Sequence, residues 1–242
     1  VSRYSQIMTE GETVVAVSNT IRDYILENYS TAAENIRLIH RGVDPAEFPH
    51  QFEPGPEWRR TFFEQHNLPS DPANATKSQG SCPQLLTLPG RITRLKGHAA
   101  FISLIEKLIG EGRNVHGLIV GGEHPRKKRY GQELRELISA TGMDQHITMT
   151  GHRSDMKEIY AVSDIVFSLS SKPESFGRTI VEALALGTPV IGYAHGGVGE
   201  ILNDEFPLGL VPTGDESALL STVQRLCDQP VVCDLSGYRL AA

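Results

Sequence analysis

Residues 165–193, IVFSLSSKPESFGRTIVEALALGTPVIGY, decide the fold. The opening run 165–169 is short and apolar, as expected of a strand buried on both faces. Small, polar and glycine residues follow over 170–177. Residues 177–186 then read as a helix with little polar surface besides Arg178, Thr179 and Glu182. After Gly187 and Pro189, Val190-Ile191 begins a second apolar strand. Strand, helix and strand in that order form a parallel unit. The most apolar stretch, 180–194, is interrupted by Glu182, Gly187 and Pro189, so it cannot span a bilayer.

The same alternation continues on both sides. Apolar runs recur at 85–88, 115–120, 147–149 and 208–211, and helical patterns occupy 98–109, 130–140, 155–162 and 215–227. In the first of these helices Phe101, Leu104, Ile105, Leu108 and Ile109 recur at helical spacing. The expected fold is therefore α/β, a parallel sheet covered by helices on both faces. Nearer the N-terminus, the run 13–17 leads to Ser18, an N-cap for a helix to Tyr29 whose apolar face is Ile21, Tyr24, Ile25 and Tyr29. A strand at 36–39 completes a β-α-β piece. Prolines 45, 49, 54 and 56 with Gly55 mark a linker, residues 57–67 a charged helix, and 68–83 a polar, mobile loop. The division expected is 1–45, 46–83 and 84–242, without internal repeats.

Composition narrows the function. The 242 residues are 39% hydrophobic, which suits a sizeable core, and carry 23 basic against 29 acidic side chains. A net charge of −6 offers no basic surface for nucleic acid. Cys82, Cys227 and Cys233 form no disulfide or C-x-x-C framework, so a reducing compartment is expected. The chain begins at Val1, and residues 1–10 read as the tail of a helix already under way. The expectation is a fragment of a longer protein, cut in a new element over 234–242.

Ligands of an open parallel sheet bind beyond the carboxyl ends of its strands. Directly after successive strands come Gly90-Arg91 with Lys96-Gly97, then Gly121-Gly122-Glu123, Gly151-His152-Arg153, Ser170 through Gly177, and Tyr193 through Gly197. Glycines, cations and carboxylates collect on one edge. Arg91 and Lys96 stand before a helix N-terminus, where backbone amides already favour an anion, and together they suit a diphosphate. Two solvated cations at a helix start would give the same pattern. Glu182, in an apolar helix, needs donors or a cation; ribose hydroxyls qualify, and so does Arg178 one turn away. Glu174 reads equally as a ligand group or a loop carboxylate. Gly177, Gly196 and Gly197 allow close backbone approach or serve turn geometry. The basic run 126–129 reads as a solvated helix start rather than a membrane contact. His152 and His195 have no second ligand at zinc spacing. No P-loop, complete dinucleotide fingerprint, G-x-S-x-G elbow or D-x-D occurs.

Taken in order, these segments resemble a known family. Glu174-Ser175-Phe176-Gly177 with Glu182, then Ala183, Gly187-Thr188-Pro189-Val190 and Gly196-Gly197-Val198-Gly199-Glu200, resembles the nucleotide-sugar domain of GT-B retaining glycosyltransferases. The likeness is nearest to family 4, the glycosyl transferases group 1 domain. Gly90-Arg91 with Lys96-Gly97 looks like that family's diphosphate signature. Val15-Ala16-Val17-Ser18 and Arg41-Gly42-Val43-Asp44 look like the end of its N-terminal acceptor domain. The likeness covers nearly the whole chain except 68–83.

The resemblance implies a Rossmann-like donor domain over 84–242 and a partial acceptor domain over 1–45. It implies Glu174 near the donor sugar, with Arg91 and Lys96 neutralising the departing diphosphate without metal. Glu182 would hold the ribose, Ser175, Phe176 and Gly177 would offer amides, and Gly90, Gly196 and Gly197 would border the donor. Gly151 and His152 would meet the base. The donor would be a UDP-, GDP- or ADP-sugar, with no further cofactor, and the acceptor a glycan or lipid-linked species of a cell-surface polysaccharide. A cytoplasmic location follows, with peripheral membrane association through the acceptor domain. By itself the chain is expected to bind donor weakly and transfer little. The alternatives are a non-catalytic nucleotide-sugar-binding module and an epimerase relative.

Overall fold

The computed structural model describes residues 6–69, 82–124, 128–233 and 235. Most of the expected loop 68–83, two residues of the basic run 126–129, residues 1–5 and nearly all of 234–242 lie outside these residues. Gln6 and Ile7 are helical.

The main sheet contains β3 (Gln84–Pro89), β4 (Val115–Val120), β5 (Ile147–Gly151), β6 (Ile165–Ser168), β7 (Val190–Tyr193) and β8 (Leu210–Val211). Its order is β5-β4-β3-β6-β7-β8, and every pairing is parallel. This is the α/β sheet expected from the sequence. Each residue of β4 and β6 is buried, and both strands are apolar apart from His116 and Ser168. Strands β3 and β6 are neighbours, with Leu86 opposite Ile165, although the chain forms β4 and β5 between them. The strand order reverses there, so the loops after β3 and β6 leave in opposite directions and open a crevice.

Helices cover both faces. On one side α3 (His98–Gly110) buries Phe101, Ile102, Leu104, Ile105 and Leu108, with the Phe101 and Phe167 rings 5.3 Å apart at their centroids. On the other, α2 (Pro56–Gln65) sets Phe62 and Phe63 against Leu85, Leu118, Val120 and Ile159. Helix α2 is therefore packed on the sheet itself. Helices α4 (Arg129–Ala140), α5 (Met156–Val162) and α6 (Arg178–Ala185) join further strands, and α8 (Glu216–Asp228) follows the last one. Arg129 opens α4 with its side chain 93% exposed, as a solvated helix start requires.

Two elements depart from the sequence reading. Gly196–Glu205 forms a helix, α7, which the glycines at 196, 197 and 199 disguised; Val198, Ile201 and Leu202 supply its buried face. The run 208–211 is only partly strand, because Pro207 opens a 3₁₀ turn that takes residues to Gly209.

The N-terminal unit has its own parallel pair, β1 (Val14–Ala16) and β2 (Ile36–Leu38), joined by α1 (Asn19–Asn28). Its small core is Val14, Ala16, Ile25 and Ile36. Tyr24 does not join the apolar face expected for α1, since Ile25 takes the central position and Tyr24 is left 47% exposed. Ser18 caps α1 by accepting from the Ile21 amide.

The tightest junction lies where the loop after β3 meets β6. Gly97 has φ +78°, and a Cβ there would stand 2.1 Å from the Leu169 carbonyl oxygen. Gly112 has the same φ with nothing within 4 Å of a Cβ. Gly112→Ala is expected to lose about 1 kcal/mol to left-handed strain. Gly97→Ala should lose at least about 3 kcal/mol, because Leu169 must also shift. Urea denaturation of both variants reads the difference; equal losses would contradict the close packing.

Candidate functional site

A cleft of about 670 Å³ lies at the carboxyl ends of the strands. Gly90 and Arg91 enter it from β3, Gly121 and Gly122 from β4, and residues 152–157 from β5. The first turns of α6 add Arg178, Thr179 and Glu182, while Glu47 and Phe48 close the side toward the N-terminal unit. Among the described residues, exposed Arg91 makes no ion pair or hydrogen bond. Its charge is thus available to an anion entering the cleft.

Glu182 is only 7% exposed. Its Oε1 accepts from Arg178 Nε at 2.5 Å, and the buried Tyr160 hydroxyl also bonds to it. Burial pushes the Glu182 carboxyl above the usual glutamate range, with Arg178 opposing that effect. The i, i+4 pair weighed from the sequence is therefore present. Arg178 is nevertheless 72% exposed, so its guanidinium can leave for water while the carboxylate stays in the cleft wall.

Lys96 and Glu174 lie outside the cleft lining, on the two loops that part at the reversal of strand order. Lys96 Nζ donates to Glu174 Oε1 at 2.6 Å, and the Ser170 hydroxyl donates to the same oxygen. The Lys96 methylenes run 3.4 to 3.6 Å from where a Cβ on Gly90, a cleft-lining residue, would stand. Glu174 is thus a paired carboxylate between the loops. At the start of the neighbouring helix, His98 is buried with its Nδ1 3.2 Å from the Thr93 carbonyl, which ties the 90–97 loop to α3.

The other sequence candidates divide. His152 lines the cleft, whereas Gly151 ends β5 and its carbonyl accepts from Gly121 N. Ser175, Phe176 and Gly177 lead into α6 and do not line this cleft. Phe176 borders a second cavity of about 570 Å³ that reaches residues 39–44 and shares Glu47, Phe48, Arg178 and Glu182 with the first. Gly196 and Gly197 open α7, and their close approach is to backbone: Gly197 N donates to Glu174 O at 2.8 Å.

Sequence reasoning placed Gly151-His152-Arg153 on the ligand-binding edge after β5 but gave Arg153 no role and missed the wall it forms with Asp155 and Trp58. Asp155 accepts from Arg153 and, at 2.8 Å, from Trp58 Nε1 on α2. Burial would raise the Asp155 carboxyl, but the bonds from Arg153 and Trp58 win and hold it below its ordinary value. The Arg153 guanidinium also sits 5.3 Å above the Phe62 ring centroid. Asp155 could have been suspected from its place two residues after Arg153, on the same ligand-binding edge. Trp58 belongs to no motif and gave no signal. Among the described residues no three His, Cys, Asp or Glu side chains cluster as metal ligands, and no helix is long and apolar enough to cross a membrane.

Comparison with known proteins agrees with this architecture. Residues 77–235 match the model of the family described as glycosyl transferases group 1. A glycosyltransferase structure from Rickettsia africae is 32% identical and superimposes with a TM-score of 0.78, over 93% of this chain and 55% of that one. Anabaena HepE, solved with UDP and glucose, shares the fold with a TM-score of 0.77 over 94% of this chain and 57% of its own, at 22% identity. The D-inositol 3-phosphate glycosyltransferase of Corynebacterium kroppenstedtii is 27% identical over 227 residues, 92% of this chain and 47% of that protein. The chain spans about half the length of the curated relatives it matches.

The burial of Glu182 has a measurable effect on stability. Its folded-state carboxyl titrates above the unfolded one, so the folded chain keeps a proton that the unfolded chain has already lost. Stability therefore falls as pH rises through that interval. Glu182→Gln removes the penalty, and exposed Arg178 loses little that water cannot replace. The variant should be more stable than the parent at neutral pH, and the difference should vanish below about pH 4. Urea midpoints across that range test this; a variant less stable at neutral pH would mean that the ion pair outweighs burial.

Proposed function

The chain belongs to the glycosyl transferases group 1 family, and on that premise we propose that it is the nucleotide-sugar half of a retaining, metal-independent glycosyltransferase of family 4. The observation that carries the reading is one cleft lined both by Arg91, unpaired among the described residues, and by buried Glu182, at the reversal of strand order.

In this reading Arg91 grips the diphosphate from within the cleft. Lys96 turns from Glu174 to the phosphate, exchanging one anionic partner for another. Gly90 and the start of α3 supply backbone beside it. The glycosidic bond to the leaving diphosphate breaks as the acceptor oxygen attacks the same face of the sugar, and the acceptor's hydroxyl proton passes to the departing diphosphate oxygen on that face. Arg91 and Lys96 stabilise the charge that collects on the departing diphosphate, without a metal ion. Glu174, released from Lys96, faces the donor sugar together with amides from Ser175, Phe176 and Gly177, while Gly196 and Gly197 support this loop from α7. Glu182 takes the ribose hydroxyls, which replace Arg178 as its donors. Gly151 and His152 meet the base beside the Arg153–Asp155 wall.

Binding of UDP and glucose by HepE supports a uridine nucleotide among the three candidates, UDP-, GDP- and ADP-sugars. The acceptor is proposed to be a glycan or lipid-linked species of a cell-surface polysaccharide, met at the cytoplasmic membrane face. Because the chain spans about half of its curated relatives, complete transfer is proposed for the protein together with its acceptor half.

Calorimetric titration with UDP, GDP and ADP in EDTA tests the donor site. Saturable binding of one nucleotide is expected, weakened at least about 100-fold in a Lys96→Ala, Glu182→Ala double variant, since a charged partner and a buried acceptor are both lost. Failure of a folded parent chain to bind any of the three would contradict the proposal.

A further inference from the structure

Helix α7 grips two parts of the molecule at once. At its first turn, Gly197 N donates to Glu174 O, and a Cβ at Gly197 would stand 2.4 Å from Phe176 O. The helix therefore rests directly on the backbone of the 174–177 loop. One turn later, Glu200 reaches the other way, to the N-terminus of α1. Its Oε2 accepts from Asn19 N at 2.8 Å and Asn19 Nδ2 at 3.1 Å. Its Oε1 accepts from Thr20 N at 2.7 Å and Thr20 Oγ1 at 2.6 Å. Two of these four donors are amides that a helix start leaves without internal partners, and the helix dipole favours the carboxylate there.

Ser18 closes the circuit. It is 1% exposed, its Oγ accepts from Ile21 N at 3.2 Å, and its hydroxyl donates to Ser175 O at 2.7 Å. The path runs from Glu174 and Ser175 through Gly197 to Glu200, across to Asn19 and Thr20, and back through Ser18 to Ser175. Neither Ser18 nor Glu200 lines either cavity. A solitary surface carboxylate would need none of these partners. Here one carboxylate is saturated by donors about 180 residues away in sequence.

We propose that Ser18 and Glu200 are positioning residues that lock the β1-α1-β2 unit onto α7 and thereby set the conformation of the 174–177 loop, and with it nucleotide affinity. The link to nucleotide affinity rests on the donor-site reading above; the link between α1 and the loop does not. A change on the N-terminal side is then felt at the loop without any contact with the cleft.

The test uses the whole chain with Glu200→Gln, which keeps the shape but turns an amide toward the α1 donors, alongside Ser18→Ala and Ser18→Thr. Glu216→Gln, which removes the surface pair with Lys107, serves as control. Amide hydrogen exchange is followed at 174–177 and in α1, and the Kd of UDP, GDP and ADP is measured by calorimetry. In Glu200→Gln and Ser18→Ala, exchange in the loop should accelerate and Kd should rise about tenfold, within the usual span of coupling between sites. Ser18→Thr, which keeps the hydroxyl, and Glu216→Gln should stay near the parent. Faster exchange confined to α1, with the loop and Kd unchanged, would overturn the proposal and leave a merely structural contact. If the parent binds no nucleotide, the donor-site reading fails and exchange alone decides: an accelerated loop upholds the coupling, an unchanged loop refutes it. Should Ser18→Ala not fold, the near-isosteric Glu200→Gln decides by the same criteria.

Discussion

Six parallel strands in the order β5-β4-β3-β6-β7-β8 must all end on the same edge, and the chain must part company with itself between β3 and β6. The rest of the site depends on that constraint. Every crossover returns its glycines and charged groups to one side of the molecule. The parting loops carry Lys96 and Glu174, whose ion pair spans the gap. The cleft on one side of this point gathers Arg91, His152 and Glu182 from stretches that are far apart in sequence.

Much of this is legible in the sequence because burial on both faces writes itself as short apolar runs. Strands β3 to β7 and helices α3 to α6 follow from that pattern together with helical spacing. Helix α7 was obscured because Gly196, Gly197 and Gly199 lower helix propensity, although Gly197 is needed there for helix and loop to touch. Single-residue candidates on the edge were also legible, but their pairings were not. Nothing in sequence indicates that Glu174 meets Lys96, or that Trp58 on α2 holds Asp155, since those contacts are made by the tertiary fold. The pair Arg178–Glu182 was foreseeable because both residues lie on one helix face.

The site holds its charge at a cost to the fold. Glu182 sits among apolar neighbours on α6 with its carboxyl shifted upward by burial, a poor choice for stability alone. Its partners, Arg178 and Tyr160, keep it satisfied. Lys96 and Glu174 behave similarly: each neutralises the other, so neither stands as an uncompensated, half-buried charge. On the proposed reading, a nucleotide would exchange these internal pairs for its own.

A crystal structure of the chain with a bound nucleoside diphosphate tests that exchange most directly. The diphosphate is predicted between Arg91 and the start of α3, with Lys96 turned from Glu174 to a phosphate oxygen and ribose hydroxyls on Glu182 in place of Arg178. A nucleotide bound elsewhere, or bound in the cleft with both the Lys96–Glu174 and Arg178–Glu182 pairs intact, would contradict it.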